Sequence, residues 1–303
     1  MKTSVLLFCV SIAQFIHAQK SDYSVLVLGI AQDGGFPHIG CQAECCANGW
    51  SSNSKRQNVV SLALIDAGQK KWWLFEATPN ITEQLHLFQQ LTQSEFNFLP
   101  EGIFLSHAHI GHYTGLMQLG REALGAKSVA VFALPKMANY LSNNGPWSQL
   151  ILLKNVELKP LNEDQAIQLS DEISVTAFTV PHRDEFSETA GFRIITSAKK
   201  YLFIPDIDKW DKWNRNIVDE VSNVDVAFLD ATFYSSSELP GRDIKEIPHP
   251  LVSETMQLFS GSKQKEKIFF IHFNHTNPLL WNKRKRTEFL KTGFRIAEQG
   301  MRL

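Results

Sequence analysis

Short apolar runs alternate along this chain with segments of helical spacing, the pattern of a layered α/β domain. Residues 23–30 read as a strand that runs into a loop containing Asp33, Gly34 and Gly35. Residues 59–66 and 71–77 read as a hairpin about Ala67 and Gly68. Residues 79–91 have helical spacing, with Pro79 tolerated near the start. A short buried strand is expected at 102–106 and a helix at 114–124. Further strands are expected at 174–180, 191–196, 200–204, 225–229 and 267–271, and helices within 209–221, 251–260 and 282–298. No repeat, low-complexity block or linker divides the chain, so residues 19–303 are expected to form a single domain.

The pattern also places chemistry. His107, His182, Asp206, Asp230 and His272 each stand at or just past the end of an expected strand, where α/β folds present functional groups on a rigid scaffold. His107, His109 and His112 put three imidazoles within six residues. Alternate residues of an extended segment point the same way, so His107 and His109 can grip one ion together. Gly111 lets the chain turn, so that His112 faces the same pocket from another side. Neutral imidazole is a common ligand for zinc, copper and iron.

Composition changes this picture in four ways. With 44% hydrophobic and 20% charged residues in 303, the chain can build a generous core. A formal charge of −1 gives no electrostatic reason to expect nucleic acid or an anionic membrane surface as partner, and the basic run 283–286 reads as a solvated helix face. Residues 1–18 read as a secretory signal: Lys2, a mostly apolar run at 5–16, and Ala18 at a cleavage position. That run is too short for a stable membrane span, so the mature protein is expected in the periplasm or outside the cell. Cys9 leaves with the leader, and Cys41, Cys45 and Cys46 remain. Three clustered cysteines cannot all pair within one chain, and adjacent ones bridge poorly, so they look more like a metal knuckle than disulfide partners.

The histidine spacing resembles the metallo-β-lactamase superfamily, whose signature is His-x-His-x-Asp-His. His107, His109 and His112 stand at its three histidine positions. His182, before Gly191-Phe192-Arg193, looks like the histidine that completes a first metal site. Asp206 looks like the aspartate that bridges two metals, and His272 like the histidine that serves the second. The resemblance implies a four-layer αββα sandwich with one or two zinc ions in the active site, iron or manganese being the alternatives. It also implies catalytic roles for His107, His109, His112 and Asp206. Where the signature has aspartate this chain has Gly111, which implies a weaker or rearranged second site.

Within the superfamily, segments around Asp33 to Pro37, Ala77 to Asn80, His112 to Leu116, Leu229 to Thr232, Pro248 to Pro250 and Ile271 to Pro278 resemble the pyrroloquinoline quinone biosynthesis protein B branch. Those proteins typically carry carboxylate or amide groups where His107 and His109 stand. A similar cysteine knuckle occurs in the superfamily's phosphodiesterases of phosphonate breakdown. The likeness nominates His275 as fourth ligand to Cys41, Cys45 and Cys46 around one structural zinc. Asp33, Glu76 and Asp230 are candidates for orienting metal-bound histidines. His249, Trp50 and Phe36 are candidates for the wall of a pocket for a small-molecule substrate. The expected activity is attack of metal-activated water on an ester-type bond, phosphodiester first. An oxidative or cofactor-maturation role and a non-catalytic ligand-binding role are the alternatives.

Overall fold

Strands buried on both faces need apolar side chains at nearly every position, and the central strands here meet that requirement. In the computed structural model, which describes residues 22–303, every residue of the strand Ser61–Asp66 is buried. The expected leader at 1–18 lies outside the described residues.

The first sheet runs in chain order: β1 (Tyr23–Gly29), β2 (Ser61–Asp66), β3 (Lys71–Phe75), β4 (Gly102–Phe104), β5 (Val129–Ala133) and β6 (Val156–Pro160). β1 to β3 are antiparallel and β3 to β6 parallel. The second sheet contains β7 (Ala166–Ser170), β8 (Ile173–Val180), β9 (Thr189–Thr196), β10 (Lys200–Ile204), β11 (Val226–Asp230), β12 (Ile268–Ile271) and β13 (Arg295–Ile296), again in chain order. Here β7 to β10 are antiparallel and β10 to β13 parallel.

Period-2 alternation divides each buried strand between two cores. Val25 and Val27 of β1 pack into the core shared by both sheets, while Leu26 and Leu28 join the core under the helix Ile81–Leu91. Aromatic rings tie the sheets together: Phe75 lies edge-on to Phe192 at 5.3 Å and to Phe203 at 6.2 Å between centroids. The helices Ile217–Ser222, Val252–Leu258 and Lys283–Leu290 bury their apolar residues with the second sheet, which completes the four layers. Because β3, β4, β10, β11 and β12 lie in parallel runs, their C-terminal ends share an edge of each sheet, and the polar residues that follow them meet there.

The structure corrects one helix and sets the bounds of another. The expected helix at 114–124 is a 3-10 segment, Thr114–Leu119. It is pressed so close to the preceding loop that a Cβ on Gly115 would lie 2.0 Å from the Thr78 carbonyl oxygen. The expected helix within 282–298 stops at Leu290, because Gly293 turns the chain with φ of 95° and Arg295–Ile296 then pairs with β12. Among the described residues no helix is long and apolar enough to cross a membrane.

Candidate metal centre

His107 and His109 follow β4 in an extended stretch that is pinned on both sides. The Ala108 backbone N–H donates to Ser187 Oγ at 2.9 Å, and the Ser106 carbonyl accepts from Ala190 at 3.0 Å. His182 follows β8 and Asp206 follows β10. These segments bring four donor atoms together. His107 Nε2 lies 2.9 Å from His109 Nδ1 and 3.4 Å from Asp206 Oδ2. His182 Nε2 lies 3.3 Å from His109 Nδ1 and 3.1 Å from Asp206 Oδ2. Ligands 2.0–2.2 Å from a tetrahedral ion stand roughly 3.3–3.6 Å apart, so the donor set fits one divalent metal.

A second group adjoins it. Asp33, His112 and His272 present donor atoms all within 4.8 Å of one another. Asp206 Oδ2 faces this group too, 3.9 Å from His112 Nε2 and 4.0 Å from His272 Nε2. His112 sits on the short helix Ile110–Tyr113, and the backbone at His272 is left-handed, with φ of 65°. A non-glycine residue held there is strained, as is common where a site dictates the direction of a side chain. Asp33 Oδ1, His112 Nε2 and His272 Nε2 are buried and make no hydrogen bond outside their own group among the described residues. Orphaned buried polar atoms are costly, and three that converge on one point fit a cation between them.

Most of the remaining ring nitrogens have partners of their own. His107 Nδ1 lies 2.8 Å from Ser106 Oγ, and His112 Nδ1 lies 3.5 Å from Glu76 Oε2. His272 Nδ1 lies 3.0 Å from Thr232 Oγ1 and 3.6 Å from Asp230 Oδ1, while His109 Nε2 lies 3.3 Å from Glu185 Oε2. Such contacts fix tautomer and ring orientation in metal-binding histidines. Glu76 and Asp230 therefore stand where the sequence suggested, but Asp33 faces the other nitrogen of His112. His249, expected only as a pocket-wall candidate, is buried in the site with Nδ1 2.9 Å from Asp230 Oδ2 and 3.0 Å from Asp206 Oδ1. Its position between Pro248 and Pro250 carried no periodic signal.

Charge follows the geometry. Burial pushes His107 well below its ordinary value, with neighbouring His112 adding to the effect, and burial also lowers His109. For His112 burial is outweighed by Glu76 and Asp33, which hold it up to about 10. For His249 burial is likewise outweighed, by Asp206 and Asp230, and it too stands at about 10. Asp206 stays ionised against its burial because His182, His249 and His272 surround it. The carboxylates thus attract positive charge into a buried site, and a divalent cation can take the place of protons there.

Cys45 and Cys46 lie on the helix Glu44–Ser51, where the sequence had suggested only a loop knuckle. Cys41 Sγ stands 3.6 Å from Cys45 Sγ, and these two sulfurs and a His275 ring nitrogen lie within 4.8 Å of one another. Cys46, fully buried, accepts instead from the His38 backbone N–H at 3.4 Å, and the His38 ring stacks on His275 at 4.3 Å. Burial and the neighbouring Cys41 push the Cys45 thiol up to about 12. All three cysteines are free thiols.

Comparison with known proteins agrees with this architecture. A beta-lactamase superfamily domain matches residues 71–273. Coenzyme PQQ synthesis protein B of Gluconobacter oxydans (strain 621H) is 27% identical, covering 91% of this chain and 97% of the relative. Its counterpart in Rhizobium meliloti (strain 1021) is 23% identical, covering 93% and 98%. Zn(2+)-bound PqqB from Methylobacterium extorquens superposes with a TM-score of 0.73 at 21% identity, over 92% of this chain and 99% of that one. A diphosphatase from the PhnP family superposes with a TM-score of 0.65 at 21% identity, over 93% and 96%. Two mixed sheets between helices, histidines at the strand ends and a family match over the segment that carries most of them lead to one conclusion: the chain belongs to the metallo-β-lactamase superfamily, in the branch that resembles coenzyme PQQ synthesis protein B.

Proposed function

We propose that this protein is an exported metal-dependent hydrolase that acts with metal-activated water on an ester-type bond of a small molecule, a phosphodiester before a lactone or other carboxylic ester. The observation that carries the reading is the tetrahedral spacing of His107, His109, His182 and Asp206 beside a second donor group. A divalent metal bound there lowers the pKa of a water ligand to about 7 and polarises the electrophile. Zinc suits the imidazole-rich donor set, and iron and manganese are the alternatives.

The chain's own residues do the rest. Asp206 holds the two donor groups in register through one carboxylate oxygen. Ser106, Glu76, Thr232 and Asp230 lock the rings so that the metal-facing nitrogens do not swing away. His249, clasped at Nδ1 by Asp206 and Asp230, fixes the direction of the Asp206 carboxylate beside the donor atoms. A cavity of about 530 Å³ opens beside Asp33, lined in part by Phe36, Trp50, Arg56 and Asn80, on the side of the Asp33 loop away from the ligating histidines, none of which lines it. Export rests on residues 1–18, and recovery of a mature N-terminus after Ala18 in the periplasmic fraction checks it.

The test is hydrolysis of bis(p-nitrophenyl) phosphate by chelator-stripped protein reloaded with zinc or manganese, beside a His107→Ala/His109→Ala variant. Metal-dependent turnover in the wild type that vanishes in the variant is expected. Metal-loaded protein inert toward phosphodiesters, lactones and carboxylic esters contradicts the reading. Similarity to PQQ synthesis protein B along 91% of the chain favours a second reading, an oxidative or cofactor-maturation role. Bound iron and oxygen consumption would mark it.

A further inference from the structure

The superfamily signature has an aspartate where this chain has Gly111, which reads as a missing ligand. The structure shows why glycine stands there. A Cβ at Gly111 would lie 2.1 Å from Asp33 Oδ1 and 2.6 Å from Asp33 Cα. The loop after β1 thus occupies the volume that a side chain at 111 would need. We propose that Asp33 is a direct ligand of the second metal ion, delivered by the loop after β1 into the place vacated at Gly111.

Three observations carry this. Asp33 Oδ1 approaches His112 at Nε2, 3.4 Å away, the nitrogen that faces Asp206, while Nδ1 is already turned to Glu76 and Ser106. A carboxylate that merely orients a metal-bound ring sits at the nitrogen remote from the ion. Asp33 sits at the near one. Secondly, Asp33 Oδ1, His112 Nε2 and His272 Nε2 are three buried atoms that make no hydrogen bond outside their own group among the described residues, and they form one donor group. Thirdly, the loop is held for the purpose. Gln32 N–H donates to the Phe273 carbonyl at 2.8 Å, Phe273 N–H to the Ile30 carbonyl at 2.8 Å, and Asn274 Nδ2 to Gln32 Oε1 at 2.7 Å. Asp33 is thereby stitched to the segment that carries His272. Gly35, with φ of 70°, closes the turn.

The consequence is that the second site keeps its charge. Asp33, Asp206, His112 and His272 supply two carboxylates and two imidazoles, as they would with an aspartate at 111. The inference rests on the metal-binding part of the proposed function and is independent of which bond is cut.

The experiment counts active-site ions in wild type, Asp33→Asn and Asp33→Ala by elemental analysis and zinc calorimetry of the full protein. A Cys41→Ser/Cys45→Ser background removes the cysteine cluster from the count, and circular dichroism checks the fold. Asn keeps the shape of Asp33 and removes its charge, so it separates ligation from packing. Expected are two active-site ions in wild type and one in both Asp33 variants, with the second binding step weakened tenfold or more. Gly111→Ala is expected to weaken the same step by displacing Asp33. Two ions of unchanged affinity in the Asp33 variants overturn the proposal, as does a wild type holding fewer than two. Loss of both ions in Asp33→Asn overturns it too. If the count depends on Asp33 and no ester is cleaved, the ligand assignment stands and the hydrolase reading falls.

Discussion

The two donor groups of the metal centre are built in opposite ways. The first has a local nucleus, because His107 and His109 share one extended segment and need only His182 and Asp206, from the ends of β8 and β10 in the second sheet. The second is assembled from Asp33, His112 and His272, which span nearly the whole described chain. What the first group obtains from period-2 alternation, the second obtains from a backbone bridge between the β1 loop and the segment after β12. A motif thus specifies one half of the site, and tertiary packing specifies the other. Loss of a motif residue, as at Gly111, need not mean loss of a ligand.

The comparison can be broken most sharply at Asp206, whose Oδ2 serves both groups. Asp206→Ala is expected to remove both active-site ions. The metal contribution to transition-state stabilisation is several kcal/mol, so hydrolysis should fall on the order of a thousandfold or more. Retention of either ion at wild-type affinity would separate the two groups. His272→Ala should have the next largest effect. One ion is lost while the His107, His109, His182 and Asp206 group keeps its own, and metal analysis reads the difference directly.

Glu76→Gln sharpens the contrast further, because the one ligand that Glu76 meets directly is His112 of the second group, at Nδ1, and it reaches the first group only through the Ser106 backbone N–H. The second ion is expected to bind about 10–100-fold more weakly with the first unchanged, as calorimetry would show. The smallest effect on the active site is expected from Cys45→Ser. It should cost one structural ion and lower Tm while both active-site ions remain. His275 and His272 share a segment, and Cys41 follows the Asp33 loop, so any effect on the active site should fall on the second ion.

Legibility in the sequence divides along the same line. The β2–β3 hairpin, β10 and the strand-end placement of His107, His182, Asp206 and His272 could be read because buried strands and strand-end ligands leave local patterns. Asp33 could be suspected as polar and glycine-flanked at the end of an apolar strand, but only as a residue that orients a histidine. Its approach to His112 depends on a pairing of Ala31 with Phe273 that no periodicity announces. Gly111 was read as permitting a turn, yet its backbone lies within a short helix at negative φ, and its role is to leave room for Asp33. His249 could be nominated only for the pocket wall, since its contacts to Asp206 and Asp230 come from a loop between two prolines that shows no periodicity. The stretch from β5 to β7 gave no usable reading. Its strands β6 and β7 lie toward sheet edges with several exposed positions, which blurs the apolar runs that mark the central strands.

The most direct measurement is anomalous diffraction from crystals of the zinc-loaded protein. The account predicts two peaks about 3.5–4 Å apart. One should lie among His107, His109, His182 and Asp206, and the other among Asp33, His112, His272 and Asp206. A single active-site peak, or a second peak to which Asp33 does not reach, would contradict it.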